Sequence, residues 1–194
     1  MFLTVLFAAL ASDDRELIER LQRRDQQAMA DLYDRYGRLT YALIFRIVRD
    51  GGIAEDLTQE TFLRIWTRIP VFDREKGALG AWVMTVARNR AIDYVRSVQG
   101  RMRDRSVELD SSENPALFTT IEANILNTDR ARRLKQAFGS LNENQRIVIE
   151  LAYFEGLSQA DMAERMKQPL GTVKTWCRTA LIKLREELGE ALTV

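Results

Sequence analysis

The sequence predicts an all-α protein: two small helical domains joined by a flexible linker. Apolar residues recur every three or four positions through most of the chain, and strand-like alternation is scarce. Three prolines and ten glycines supply too few turns for a β-sandwich. Between 101 and 128 the stretch RMRDRSVELDSSENPALFTTIEANILNT has no sustained period, contains Ser-Ser and Asn-Pro, and turns acidic after Arg105. That stretch reads as a linker holding one short helix at most.

The elements follow in order. Residues 1–12, MFLTVLFAALAS, form an apolar extension. Its Ala-Leu-Ala resembles the end of a signal peptide, but no Lys or Arg precedes the apolar core. An extension that packs on the protein or a partner, or a misassigned start, is the preferred reading, and its role stays open. Met29, Leu32, Tyr36, Leu39, Leu43 and Ile47 mark a helix over about 26–49, which the glycines of DGG at 50–52 are expected to end. A second helix runs from about Ile53 to Ile69, before Pro70. PVFDREKGALG at 70–80 reads as a loop, and a third helix covers about 79–98, with Trp82, Val83, Val86, Ala87 and Tyr94 on its apolar side. Beyond the linker, helices are expected at about 129–139, 143–155, 158–166 and 172–188. Asn142 with Gln145, and Ser158 with Asp161, have the spacing of N-terminal caps. The domains are therefore 13–100 and 129–194.

Composition excludes more than it identifies. Twenty-nine Lys and Arg against 28 Asp and Glu leave a net charge of +1, so any electrostatic message lies in where the charges sit. No histidine and one cysteine, Cys177, leave no internal disulfide and remove the commonest zinc ligands and general base. Nothing spaces carboxylates for a metal site or an acid–base pair. No enzyme, metal or cofactor is expected, and no apolar run approaches the roughly 20 residues of a membrane helix.

The last helix carries the clearest message. Val173, Cys177, Ala180, Leu184 and Leu188 fall on one stripe, which can pack on Met162, Ala163 and Met166 of the preceding helix. Lys174 and Arg178, four apart, share the outer face, with Thr175 and Thr179 beside them. From Arg165 to Arg185 there is no acid, where this composition would place about three. The pattern fits a helix-turn-helix whose second helix enters the DNA major groove, its cations reaching phosphates or guanine edges. Gly171 and Thr172 are expected to leave free N–H groups at the helix start, a phosphate seat. Trp176 and Cys177 read as packing residues.

The first domain has two contrasting surfaces. In 53–69, Leu57, Thr61, Ile65 and Ile69 form an inward stripe while Asp56, Gln59 and Glu60 point elsewhere. Phe62 and Trp66 form a second apolar ridge, either partly outside beside those carboxylates, as suits a protein interface, or within the core. Across 85–105, Arg88, Arg90, Arg96, Arg101, Arg103 and Arg105 face only Asp93 and Asp104, with Phe72, Trp82 and Tyr94 nearby. Cations beside ring faces suit unstacked single-stranded bases, although Trp82 also fits a plain core position.

AEDLTQETFLRIW (54–66) and ALGAWVMTVARNRAIDYVRS (78–97) resemble the promoter-melting domain of bacterial sigma factors. LSQADMAERMKQPLGTVKTWCRTALIKLR (157–185) resembles their −35-binding domain. Two such domains and a linker, with nothing else, is the layout of the extracytoplasmic-function (ECF) group, and the resemblance covers about 26–100 and 129–188. It implies a non-enzymatic, cytoplasmic subunit that brings the RNA polymerase core (β′ clamp and β flap) to promoter DNA under an anti-sigma factor. It implies that Asp56, Gln59, Glu60, Phe62 and Trp66 contact the polymerase. Asn89 would grip a flipped −10 base in a pocket formed by Phe72 and the 72–80 loop, with Arg74, Lys76, Trp82, Arg88 and Arg96 on the same DNA. Thr172, Lys174, Thr175, Arg178 and Thr179 would read −35. Base preferences do not carry over: the loop holds Arg74, Glu75 and Lys76, and Trp176 and Cys177 stand where many relatives have a basic and an aliphatic residue. The 101–128 linker could reach roughly 90–100 Å if extended, beyond the ~34 Å of one DNA turn. In the family this segment threads the polymerase's RNA channel.

Two rival readings fit less well. A stand-alone helix-turn-helix regulator would need an apolar ligand pocket or a dimer helix, and 26–100 presents charged strips instead. A nucleic-acid enzyme would need a nucleophile in a basic pocket or a carboxylate cluster, and no such grouping occurs.

Overall fold

The computed structural model describes residues 14–103 and 136–188, with side chains except at 99–103 and 188. The apolar extension at 1–12, most of the linker and the start of the helix expected at 129–139 lie outside the described residues.

The described secondary structure is helical throughout. A helix absent from the sequence expectation opens it: α1 (Arg15–Gln22) buries Leu17, Ile18 and Leu21. Asp25 then caps α2 (Gln26–Val48), accepting from the Gln27 N–H at 2.9 Å. α2 does not end on a glycine. Arg49 takes the left-handed conformation (φ 57°) and donates its N–H to the Phe45 carbonyl. Asp50, Gly51 and Gly52 belong to the next start instead: Asp50 caps α3 (Gly51–Arg68) through the Ile53 N–H at 2.9 Å. Two 3₁₀ turns, Ile69–Val71 and Arg74–Lys76, occupy the expected loop. Pro70 suits the first of them because a helical start needs no N–H there. α4 (Leu79–Arg103) runs longer than the sequence suggested.

Two apolar layers hold the front domain. One joins Leu17 and Leu21 to Leu32, Tyr36, Ile65 and Val83. The other joins Leu43, Ile44, Leu57, Met84 and Ala87. Gly80 lets α4 cross Tyr36 closely: a Cβ there would stand 2.9 Å from the Tyr36 Cε1. The Tyr36 hydroxyl donates to the buried Asp14 at 2.6 Å, and Arg35 pairs with the same carboxylate.

After a helical turn at 136–139 come α5 (Glu143–Phe154), α6 (Gln159–Arg165) and α7 (Leu170–Leu188). Capping boxes open α5, from Asn142 and Gln145, and α6, from Ser158 and Asp161. Lys167, at φ 52°, turns the chain between α6 and α7. Val148, Leu151, Met162, Val173 and Cys177 form the rear core. Of the stripe expected on α7, Val173, Cys177, Ala180 and Leu184 are buried, and the side chain of Leu188 lies outside the described residues.

The two domains touch. Tyr153 and Phe154, at the end of α5, lie in the apolar layer of the front domain with Leu43, Ile44 and Met84. Among the described residues, no helix is long and apolar enough to cross a membrane.

Candidate nucleic-acid and polymerase interfaces

On α7 the buried stripe turns the opposite face outward. Lys174, Thr175 and Arg178 are exposed there, Thr172 is half-buried, and neither Lys174 nor Arg178 makes an ion pair among the described residues. Two cations one turn apart, with no carboxylate beside them, hold a field that only an external anion can neutralise. Two expectations need correction. Because α7 starts at Leu170, the Thr172 N–H is engaged by the Pro169 carbonyl at 2.9 Å and is no free phosphate seat. Thr179 is a tie within the fold: its hydroxyl accepts from Gln145 Nε2 at 3.0 Å and bonds the Thr175 carbonyl at 2.9 Å. Thr175 bonds back to the Gly171 carbonyl at 2.9 Å but stays exposed. Burial pushes the Cys177 thiol up, and Trp176 packs against the rear core, so both serve packing.

The front domain brings Phe72 and Trp82 together, ring centroids 5.0 Å apart and both half-buried. Gln22 of α1 donates to the Phe72 carbonyl at 3.0 Å and fixes the loop from behind. Asp73 caps the second 3₁₀ turn; the Glu75 N–H and the Lys76 ammonium hold its carboxyl below the usual range. Arg74 and Lys76 are exposed on that turn, and Asn89 is exposed on α4.

Arg88 and Arg96 are already engaged. Arg88 donates from Nε to the Tyr153 carbonyl at 2.6 Å and from Nη2 to the Ala152 carbonyl. It also donates from Nη1 to Asn89 Oδ1 at 3.3 Å, and burial lowers its pKa. Arg96 Nη2 donates to the Gly156 carbonyl at 2.6 Å.

On α3, Asp56, Gln59 and Glu60 are exposed as expected, and Glu60 pairs with Arg90 of α4 at 2.5 Å. The aromatic ridge divides between the two alternatives. Phe62 is 4% exposed and belongs to the core, its ring 4.9 Å from that of Tyr33. Trp66 is half-buried at the flank, with the Arg24 guanidinium 5.1 Å from its ring centroid. The apolar residue on the outer face is Leu63, 66% exposed, which sequence reasoning missed. Its signal was available: Leu63 follows Gln59 and Asp56 by four and seven residues, opposite the Leu57–Thr61–Ile65 stripe.

Comparison with known proteins identifies the family. Residues 32–101 match the family described as Sigma-70 region 2, and 131–184 match Sigma-70, region 4. The ECF RNA polymerase sigma factor SigK of Mycobacterium bovis (strain BCG / Pasteur 1173P2) is 36% identical over 177 residues, covering 91% of this chain and 94% of the relative. SigK of Mycobacterium sp. (strain JLS) is 35% identical over 173 residues, covering 89% of each chain. Among solved structures, a chain of the RsbN–BldN complex is 28% identical with a TM-score of 0.38, covering 87% of this chain and 97% of that one. The helix-turn-helix, the basic α4 and the match along nearly the whole length lead to one conclusion: the chain belongs to the ECF RNA polymerase sigma factors.

Proposed function

We propose the following division of labour within this sigma factor. α7 reads the −35 element through Lys174, Arg178 and Thr175, with Thr172 at the groove edge. Lys and Arg there supply phosphate grip and guanine contacts. The −10 strand is held on the front domain: Asn89 and the Phe72–Trp82 pair take a flipped base, while Arg74, Lys76, Arg88 and Arg96 hold its backbone. Melting then draws on binding energy, since stacking platforms and cations stabilise the parted strand, and no catalytic residue or nucleotide hydrolysis is required. The outer face of α3, with Asp56, Gln59, Glu60 and Leu63 and with Trp66 at its flank, docks on the polymerase β′ clamp. The rear domain approaches the β flap. The working units are 13–100 and 129–194, joined by 101–128, and the protein acts in the cytoplasm, where polymerase and promoter are. An anti-sigma factor controls access to both.

The observation that carries this reading is the pair Lys174 and Arg178, exposed one turn apart on a helix with no acid between Arg165 and Arg185. Run-off transcription with purified core polymerase on a library of candidate promoters is the direct test. The chain should select start sites, and Asn89→Ala should impair strand opening, read by permanganate reactivity of −10 thymines, more than closed-complex formation. Equal loss at both stages would remove Asn89 from the base pocket.

A further inference from the structure

α5 uses its residues in two directions. Val148 and Leu151 pack inward against α6 and α7, whereas Tyr153 and Phe154 point away from that core into the front domain. Tyr153 is 1% exposed and Phe154 7%, with the two rings edge-on at 4.6 Å. A helix that ends on aromatics buried in another domain has a docking segment there.

Polar contacts fix the seat. The last carbonyls of a helix lack intrahelical partners and carry partial negative charge. Those of Ala152 and Tyr153 receive both arms of Arg88, and Arg96 reaches the Gly156 carbonyl just beyond. The Arg46 guanidinium lies 4.0 Å from the Phe154 ring centroid, a cation–π contact across the junction. The fit is close at Gly156, where φ is +66° and a Cβ would stand 2.7 Å from Ile92 Cγ2.

The junction also carries a desolvation cost. Arg46 Nε and Nη2 are buried without hydrogen-bond partners, and burial pushes that guanidinium down to about 10. Glu150 lines the same cleft, and burial raises its carboxyl. Opening the cleft would rehydrate both groups, which offsets part of the apolar burial lost on release.

We propose that residues 152–156 are an intramolecular latch: the α2–α4 groove is an interaction surface whose occupant is this elbow of the same chain. Seating it withholds Arg88 and Arg96 from nucleic acid. The withholding rests on the DNA roles given those arginines under the proposed function, whereas the seating does not. Each N–H held by an elbow carbonyl is unavailable to a phosphate, so closure competes with single-strand binding, most directly at Arg88, which commits both Nε and Nη2.

The full-length chain tests this in a Cys177→Ala background. Ile92→Cys with Gly156→Cys should form a disulfide rapidly under mild oxidation, and a control pair, Ile92→Cys with the exposed Ile182→Cys, should not. Equal rates for the two pairs would overturn the seating. The oxidised chain should bind a fluorescein-labelled mixed-sequence single-stranded 20-mer weakly, and reduction should restore binding. Identical affinity in both states would overturn the withholding. Phe154→Ala, which leaves the rear core residues in place, tests it without a cysteine at a strained glycine. If the closed form is about nine-tenths populated, release tightens 20-mer binding about tenfold; unchanged binding would overturn the latch. Run-off transcription by the reduced chain reads the proposed function separately. Failure there, alongside rapid disulfide formation, would strike that function and leave the seating standing.

Discussion

Leu63 and Phe62 are adjacent on α3 and should fail in opposite ways. Leu63 is 66% exposed, so truncating it removes little packing from the free chain. Leu63→Ala should change stability by no more than about 0.5 kcal/mol, the usual range for a surface site. Fully burying a leucine side chain is worth about 1.5–3 kcal/mol, and roughly two-thirds of it is available here, so docking α3 on a partner draws about 1–2 kcal/mol from this residue. Its loss should weaken core-polymerase binding about 5- to 30-fold. Phe62, 4% exposed against Tyr33 in the core, reverses the pattern. Phe62→Ala should cost about 3–5 kcal/mol of front-domain stability through the lost contacts and the cavity left behind. Thermal melts and fluorescence titration with core polymerase read the two effects separately. If Leu63→Ala binds polymerase like the parent, the outer face of α3 is not the docking surface. If Phe62→Ala melts like the parent while losing polymerase, the assignment of that ring to the core is refuted.

Other perturbations read other parts of the molecule. Lys174→Ala with Arg178→Ala should abolish transcription from a −35-dependent promoter without lowering the melting temperature. If both contact phosphates, it should also reduce the slope of log affinity against log salt by about 2 for the holoenzyme; an unchanged slope and activity would take α7 out of the groove. Gly80→Ala sets a helix-propensity gain of about 1 kcal/mol against a Cβ 2.9 Å from the Tyr36 ring. Overpacking there costs about 1–3 kcal/mol, so the melting temperature should fall. Cys177 is buried and its thiol is raised by that burial, which lowers the thiolate fraction at neutral pH. Ellman's reagent at pH 8 should therefore label it slowly in the native chain and at once in 6 M guanidinium (about twice the strength that unfolds ordinary domains).

What could be read from the sequence was what repeats. The 3.6-residue stripes on α2 and α7 and the two capping boxes depend on spacing within one helix, and the structure has them where the pattern put them. Docking between elements has no such period. α1 escaped notice because its eight residues are too few for a sustained pattern, and its three apolar side chains gain meaning only against Leu32 and Ile65. DGG looked like a stop because glycine suits a helix end. Its aspartate, however, caps the following helix, and Arg49 makes the stop by adopting a left-handed conformation. Phe62 and Leu63 could not be ranked by hydrophobicity, but their angular positions relative to Leu57 and Ile65 would have separated them. The embrace of Tyr153 and Phe154 by α2 and α4 joins residues over 60 positions apart, and no local pattern announces it.

The chemistry of the seat bears on how such a latch could open. Arg90, between the latch arginines in sequence, is paired with a full carboxylate, Glu60. Arg88 and Arg96 instead meet backbone carbonyls; those that Arg88 meets close the C-terminus of α5 and together amount to roughly half a negative charge, and the one that Arg96 meets, at Gly156, is an ordinary neutral acceptor. A phosphate offers a full charge and several acceptor oxygens to the same donors, so it is the stronger partner wherever it is concentrated and correctly placed. Carbonyls thus stand in for phosphate oxygens without matching them. The elbow's carboxylate, Glu155, pairs with Arg165 rather than with the latch arginines; a carboxylate aimed at Arg88 instead would give closure a charge-assisted bond and make displacement harder. Phe154→Glu separates the two ideas, because it removes one of the two seated rings while adding a further anion beside Arg46. If apolar burial holds the latch, this variant opens and binds the single-stranded 20-mer more tightly, despite its added negative charge. If charge pairing holds it, the variant closes more firmly and binds less.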